Sequence, residues 1–568
     1  MIYASALPFY LVKNPYFRRF CLRLSNSRVS GYVPPTYNRM RTTLLEQEKS
    51  HLNFLLQSFR DSWKKKGVSL CSDGWGDRLK RSLINVMAAF GGNFIFVKSF
   101  DTSGNIKDSD YVASLFLDII TDNASNFKAA GLSIETKYAH IFWTPCVVHS
   151  LNLALKSMCE PNANSSHYET CKWISNLISD CDEITMFILN HSRALTIYQT
   201  HSQHMLIKIA ETRFASHVIM GQRLLLVKSA LEKTVLDLNW KAFRKTNLEA
   251  KADHVKECVI SDRWWDKLEY FVAFTSPIYN MIRLADTGTP CLHLVYDMWD
   301  SMIEEVREKI FNEEGKDPKN DESEFFNDVQ YVLENRWNKS NTPLHCMAHS
   351  LVPKYYSDAW LNSGSGVIAR VAPNEDREVS LNRAKCFKKM FPKQDDLRKI
   401  NAKYGKFSGA LGFFSEPHVL EGRVHQEPLI WWANYGSETP MLQSLAMKLL
   451  SQPASSSCCE RNWSSFSNIQ SVKRNKLASK RTEDLVFVHN NLRLLSRKSE
   501  ECTKGPSKYW DVGNILNLTY FLNIKSDGDS IHVDDDYVEA FANIIIDDPD
   551  VEGRIFSGNG EEGRETEE

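Results

Sequence analysis

Hydrophobic positions change their period twice along this chain, and the changes divide it. Leu44, Leu45, Leu52, Leu55 and Leu56 recur at helical spacing within residues 42–59. With a Pro-containing break at Gly31-Tyr32-Val33-Pro34-Pro35, they make residues 1–62 a predicted helical N-terminal segment. From Val68 the apolar runs become short. Strands are predicted over 68–71, 83–90 and 93–100, with Gly91-Gly92 as the hairpin turn between the last two. A short helix is predicted over 108–115, a fourth strand over 116–121, and helices from Asn123 onward and over 147–158. The helical period then takes over for a long stretch, in runs such as 224–238, 264–284 and 292–310 separated by polar loops such as 312–321. After Trp431-Trp432, three more helices are predicted over 441–451, 457–469 and 482–495.

The chain of 568 residues exceeds what one ordinary core accommodates, so several domains are expected. The β-β-β-α-β-α order over 63–160 is that of an RNase H-like α/β core. Residues 161–430 then read as a large all-α insertion, and 431–500 as the segment that returns to complete the core. The composition, 43% hydrophobic and 24% charged, is that of a globular protein. The formal net charge of −1 hides an asymmetry. Acidic residues from Asp527 to Glu568 far outnumber Arg554 and Arg564, so 501–568 is predicted to be a largely disordered acidic tail. The remaining body is correspondingly basic, which suits a polyanionic partner. The 13 cysteines lack regular spacing, and no signal peptide or bilayer-length apolar run is present. Reduced thiols, no zinc finger and no membrane partner are therefore expected.

Three acids stand out against this frame. Asp73 follows the first predicted strand in CSDGW, Asp122 follows the fourth in IITDNASN, and Glu460 lies on a late helix in SSSCCERNWS. Two acids at strand ends joined by a third from a late helix are what a carboxylate cage for Mg²⁺ or Mn²⁺ requires. Paired ions of this kind serve phosphodiester chemistry on DNA. Each acid also has an ordinary reading. Asp73-Gly74 is a common turn pair, and Asp122 precedes residues suited to a helix start. Ser457-Cys458-Cys459-Glu460 fits a capping box.

The blocks SDGWGDRLKRSLINVMAAF, ITDNASNFKAAG, FWTPCVVHSLNLAL, ETRFASH and SSSCCERNWSSFSNIQSVKRNKLASKRTEDLVFVHNNLRLL resemble, in order, those of plant hAT-superfamily transposases. The resemblance runs from about residue 5 to residue 498. It implies an RNase H-like catalytic domain interrupted by helices, with a C-terminal dimerisation region. Asp73, Asp122 and Glu460 would then be the catalytic, metal-binding triad. Cys146 and His149 match the family's Cys-x-x-His motif, linked to handling the cleaved DNA end, beside the bland reading of a helix start with a buried thiol. Arg461 and Trp463 flank the third acid, as a phosphate contact and as a core or base-stacking ring. Trp264-Trp265 is a further candidate for stacking an extrahelical base, against the commoner reading of a buried pair. Lys473, Arg474 and Lys476 form a candidate phosphate-contact surface, with a solvated loop as the alternative. Leu485, Val488, His489, Leu492 and Leu495 make an apolar stripe for a partner helix, which the resemblance identifies as a second copy of the chain.

Two departures from the family pattern shape the expectation. The BED-type zinc finger that precedes the matched region in the family is absent, and the link from Asp101 to Asp122 is short for a parallel crossover. The sequence thus points to a nuclear, transposon-derived, DNA-associated homodimer or higher oligomer. Its ancestral activity is two-metal DNA strand cleavage and transfer, expected to be impaired here. The alternative is a domesticated, non-catalytic, dimerising nuclear regulator.

Overall fold

The computed structural model describes residues 11, 14–26, 33, 35–77, 81–103, 120–121, 125–137, 141–209, 214–244, 246–364, 369–470 and 477–496. The predicted helix over 108–115, all but the end of the strand over 116–121, and the acidic tail over 501–568 lie outside these residues.

In chain order, α1 (Pro15–Asn26) and α2 (Leu45–Leu55) precede α3 (Gln57–Lys66). The helical period over 42–59 runs through two helices, with the break at Leu56. Gly67, at φ +70, ends α3 in a conformation that side chains with a Cβ rarely adopt. Strands β1 (Ser69–Gly76), β2 (Ser82–Phe90) and β3 (Asn93–Asp101) follow, then the short β4 (Ile120–Thr121). Next come α4 (Ser125–Lys137), β5 (Thr144–Pro145), α5 (Val147–Cys159) and α6 (Tyr168–Asn190). The helical stretch includes α7 (Glu249–Ile260), α8 (Asp262–Asp286), α9 (Val295–Glu313) and α10 (Glu324–Ser340). The chain closes through α11 (Pro440–Leu449), α12 (Ser457–Ile469) and α13 (Ser479–Ser496).

The protein is mostly helical with one small sheet. β1, β2 and β3 form an antiparallel meander, and β4 and β5 add to its β1 edge in parallel, giving the order β3-β2-β1-β4-β5. Gly91 and Gly92 both take positive φ, +50 and +77, as a two-residue hairpin turn whose twist matches its strands requires. Burial along β2 is continuous from Leu83 to Phe90, so this strand is covered on both faces and shows no alternation.

Contacts divide the chain into two compact units, Asn53–Trp463 and Met1–Leu52 with Ser464–Glu568. The larger unit holds the sheet and most helices. Its helices bury aromatic side chains densely, with Trp265, Trp299, Trp431, Trp432, Phe271 and Phe274 fully enclosed. In the smaller unit the N-terminal helices meet α13. Tyr16 Oη donates to the Leu492 carbonyl at 2.9 Å, and Lys49 Nζ bonds Asp484 Oδ1 at 2.6 Å.

Candidate functional site

Asp73 sits in the middle of β1, not in a turn after it. The ladder runs through Asp73↔Asn85 and Gly74↔Ile84, so pairing with β2 overrides the turn preference of the Asp-Gly pair. The carboxylate is buried, and its Oδ2 accepts the indole N–H of Trp463 at 2.7 Å. Trp463 is itself buried and stacks on Trp75, two residues beyond Asp73, with ring centroids 5.2 Å apart and planes 22° apart. The ring is thus a core residue with a polar edge turned to the acid, which is how a buried indole N–H is usually satisfied.

Glu460 reaches the same place from α12. The helix begins at Ser457, which puts Glu460 one position past the slot a capping box needs, and its carboxylate faces inward instead. Glu460 Oε1 lies 3.0 Å from His149 Nε2. The start of α12 is tied to the sheet and to α5 through backbone groups. Asn85 Nδ2 donates to the Cys459 carbonyl at 2.9 Å, the Ser456 N–H reaches Cys146 Sγ at 3.3 Å, and Val147 N–H donates to the Ala454 carbonyl at 3.1 Å. A late segment of sequence is thereby fixed against β2 and the first turn of α5.

Cys146 and His149, the CVVH pair, lie at the N-terminus of α5, with the thiol fully buried. Burial alone would push the Cys146 thiol up, but the adjacent His149 imidazole outweighs it and holds the thiol below its ordinary value. The converse holds for His149. Burial would depress it, yet Cys146, then Glu460 and Asp73, hold the imidazole up at about 10. Glu460 is pushed well above the usual carboxylate range by burial and by Asp73, against the opposing pull of His149.

The remaining sequence candidates are distributed as follows. Arg461 pairs with Asp286 Oδ1 at 2.8 Å and with the Asp286 carbonyl, and its guanidinium lies 5.7 Å from the Phe94 ring centre. Trp264 and Trp265 are buried, their indole N–H groups donating to Asp180 Oδ2 at 3.1 Å and the Val259 carbonyl at 2.8 Å. The buried reading of that pair therefore holds. Leu485, Val488, His489, Leu492 and Leu495 are all half-buried on α13, whereas Val486, Phe487, Asn491 and Leu494 on its other side are buried. Asp122, Lys473, Arg474 and Lys476 lie outside the described residues. What sequence reasoning missed is the role of Trp463 as the hydrogen-bond partner of Asp73, and of Asn85 as the tether of α12.

Residues 35–184 match a domain of unknown function, DUF659, and residues 412–492 match the hAT family C-terminal dimerisation region. The first match spans the sheet and α5, and the second spans Glu460 and most of α13. No curated protein matches the chain. The two matches support a hAT-family transposase-like protein. The dimerisation-region match supports dimer formation, and among the described residues no helix is long and apolar enough to cross a membrane.

Proposed function

We propose that this protein is a DNA-associated protein of hAT transposase descent, nuclear and dimeric, with an RNase H-like core whose ancestral activity is two-metal DNA strand cleavage and transfer, impaired here. The observation that carries the reading is the convergence of buried Asp73 from β1 and half-buried Glu460 from α12 on one cluster. It is held in part by the Trp463–Asp73 bond, which joins positions 390 apart. The strand order β3-β2-β1-β4-β5, antiparallel then parallel, supports the RNase H-like core. The parallel ladder Cys71↔Ile120 and Ser72↔Thr121 is the last described step before Asp73 on one strand and Asp122 on the other. It supports pairing of the fourth strand despite the short link from Asp101.

The donor set fits Mg²⁺ or Mn²⁺. Glu460 is raised first by burial and then by Asp73, and a divalent ion among these carboxylates would relieve the repulsion between them. Asp73, Glu460 and Asp122 would hold it, and the metal would supply activation of the attacking hydroxyl and stabilisation of the leaving oxygen. The protein's own contribution is positioning. Trp463 orients Asp73 through its Oδ2, and His149 places a positive charge beside Glu460. DNA would be bound through phosphate contacts from the basic body, with Lys473, Arg474 and Lys476 as contributors.

A second reading is a dimerising nuclear regulator without catalysis. One observation favours it: Arg461 is engaged with Asp286, and Trp463 is buried against Trp75, so both flanking residues are committed inside the protein. A Mn²⁺-dependent nicking assay on purified protein separates the two. Nicking that disappears in Asp73→Asn and in Glu460→Gln supports the enzyme. Absence of nicking with either metal, in a protein that still dimerises and binds DNA, supports the regulator.

A further inference from the structure

Away from the acidic cluster, a second group of metal-ligating side chains converges between two helices of the larger unit. Asp180 projects from α6, and His254 and Cys258, one turn apart, project from α7. One ligand atom from each lies within 4.8 Å of the other two. His254 Nε2 is 3.3 Å from Asp180 Oδ1 and 3.7 Å from Cys258 Sγ. Glu183, one turn along α6 from Asp180, brings a second carboxylate oxygen to 3.7 Å from the same nitrogen.

The separations from His254 Nε2 are close to those between neighbouring ligand atoms around one ion. Zinc holds nitrogen and oxygen at about 2.0–2.2 Å and sulfur at about 2.3 Å, so neighbouring ligand atoms in a tetrahedral shell are separated by about 3.3–3.6 Å. The set of one thiolate, one imidazole and one carboxylate is of the borderline character zinc takes. Mg²⁺ and Ca²⁺, which prefer oxygen alone, do not suit it. The carboxylate is also oriented from behind, since Asp180 Oδ2 accepts the Trp264 indole N–H at 3.1 Å and Oδ1 is left to face His254. Cys258 is buried, while Asp180, Glu183 and His254 keep part of their side chains at the surface, which gives an ion a way in. Without a cation, burial first, then Asp180 and Glu183, hold the Cys258 thiol up at about 12.

We propose that Asp180, His254 and Cys258 form a zinc site that staples α6 to α7, with Glu183 or water as the fourth ligand. The site lies in the helical stretch, separate from Asp73 and Glu460, and does not depend on the catalytic reading. No spacing rule exposes it, because the ligands come from segments some seventy positions apart, as the Asp180–His254 separation of 74 shows.

The test uses the full chain, stripped with a chelator and titrated with Zn²⁺ and, separately, with Co²⁺. Bound zinc should reach one equivalent beyond whatever the acidic cluster takes, and zinc should raise the melting temperature. Cobalt should give a thiolate-to-metal charge-transfer band with tetrahedral ligand-field intensity. Cys258→Ser and the conservative Asp180→Asn should lose the band and the zinc equivalent, while Cys146→Ser and Asp73→Asn should keep both. The wild-type titration needs no variant, so misfolding of a variant does not blunt the result. The proposal is overturned by cobalt binding without a thiolate band, by a band that survives in Cys258→Ser, or by no zinc uptake above the buffer level.

Discussion

Among single residues, Trp463 shows most directly how packing and chemistry meet. Its ring is held by Trp75 and its N–H by Asp73, so the two contributions separate by substitution. Trp463→Phe keeps an aromatic ring over Trp75 and removes the hydrogen bond to a buried carboxylate. Stability measured by denaturant unfolding should fall by about 1–3 kcal/mol. On the proposed metal-binding role of Asp73, nicking should fall as well, because the bond that orients its Oδ2 is gone. Asp73 and Glu460 could be picked out from the sequence as acids within apolar or small-residue runs. The partners could not, since nothing in the spacing of Asp73 and Trp463 encodes a bond across 390 positions. Three histidines give a second, independent prediction. His293, His345 and His349 are buried, and burial depresses them to about 4, 4 and 3. Neutral in the folded state, they take up protons on unfolding at any pH between those values and the ordinary 6.5. Over that window the unfolded chain binds more protons. The stability they contribute is thus present above about 6.5 and lost as pH falls toward about 4, at a slope of up to about 1.4 kcal/mol per pH unit for each histidine. Urea midpoints measured from pH 7 to 4.5 should fall, and His349→Gln should flatten the fall.

At the scale of elements, period and propensity carried the reading where an element is long and one-sided. The helix over 457–469 appears as Ser457–Ile469, and the one over 147–158 as Val147–Cys159. The Gly91-Gly92 hairpin was readable for a local reason, the positive φ that only its glycines reach cheaply. β5 was not readable, because two residues hold no period, and β1 was predicted too short, because Asp-Gly reads as a turn until a neighbouring strand pairs with it. Glycine at position 131 of α4 carries a further constraint the sequence does not announce. A Cβ there would overlap the Trp143 indole, so Gly131→Ala should cost about 1–3 kcal/mol through overpacking, despite the better helix propensity of alanine. Thermal unfolding of the purified variant reads this directly. On α13, the half-buried stripe and the buried face make opposite predictions. Val488→Asp and Leu492→Asp place charge on the stripe, and light scattering should show monomers of otherwise native stability. Phe487→Ala, on the buried face, should instead cost about 3–5 kcal/mol in stability.

At the scale of the whole molecule, an early segment and a late one fold together, which no local pattern could reveal. An amphipathic period tells that a face of α13 is covered, but not by what. The structure shows the cover: Tyr16 bonds the Leu492 carbonyl, Lys49 bonds Asp484, and the Lys49 ammonium lies 6.0 Å from the Phe487 ring centre. These contacts close across 476 and 435 positions, so the smaller unit forms only once α13 is available to the N-terminal helices. The larger unit needs late sequence too, but only as far as Trp463, whose bond to Asp73 lies within it. A deletion of Met1–Leu52 therefore has a definite expected outcome. It removes the partners of Asp484 and Leu492 and uncovers Phe487, so α13 should lose its helical order, and with it the surface that a second copy would meet. The unit from Asn53 to Trp463 keeps its own sheet, its buried tryptophans and the Trp463–Asp73 bond, and should melt cooperatively at close to its original temperature. Calorimetry of the deleted protein should thus retain the main transition while light scattering reports a monomer. A dimer that survives the deletion would place the association surface elsewhere than on α13. Loss of the main transition would show instead that the two units depend on one another for stability.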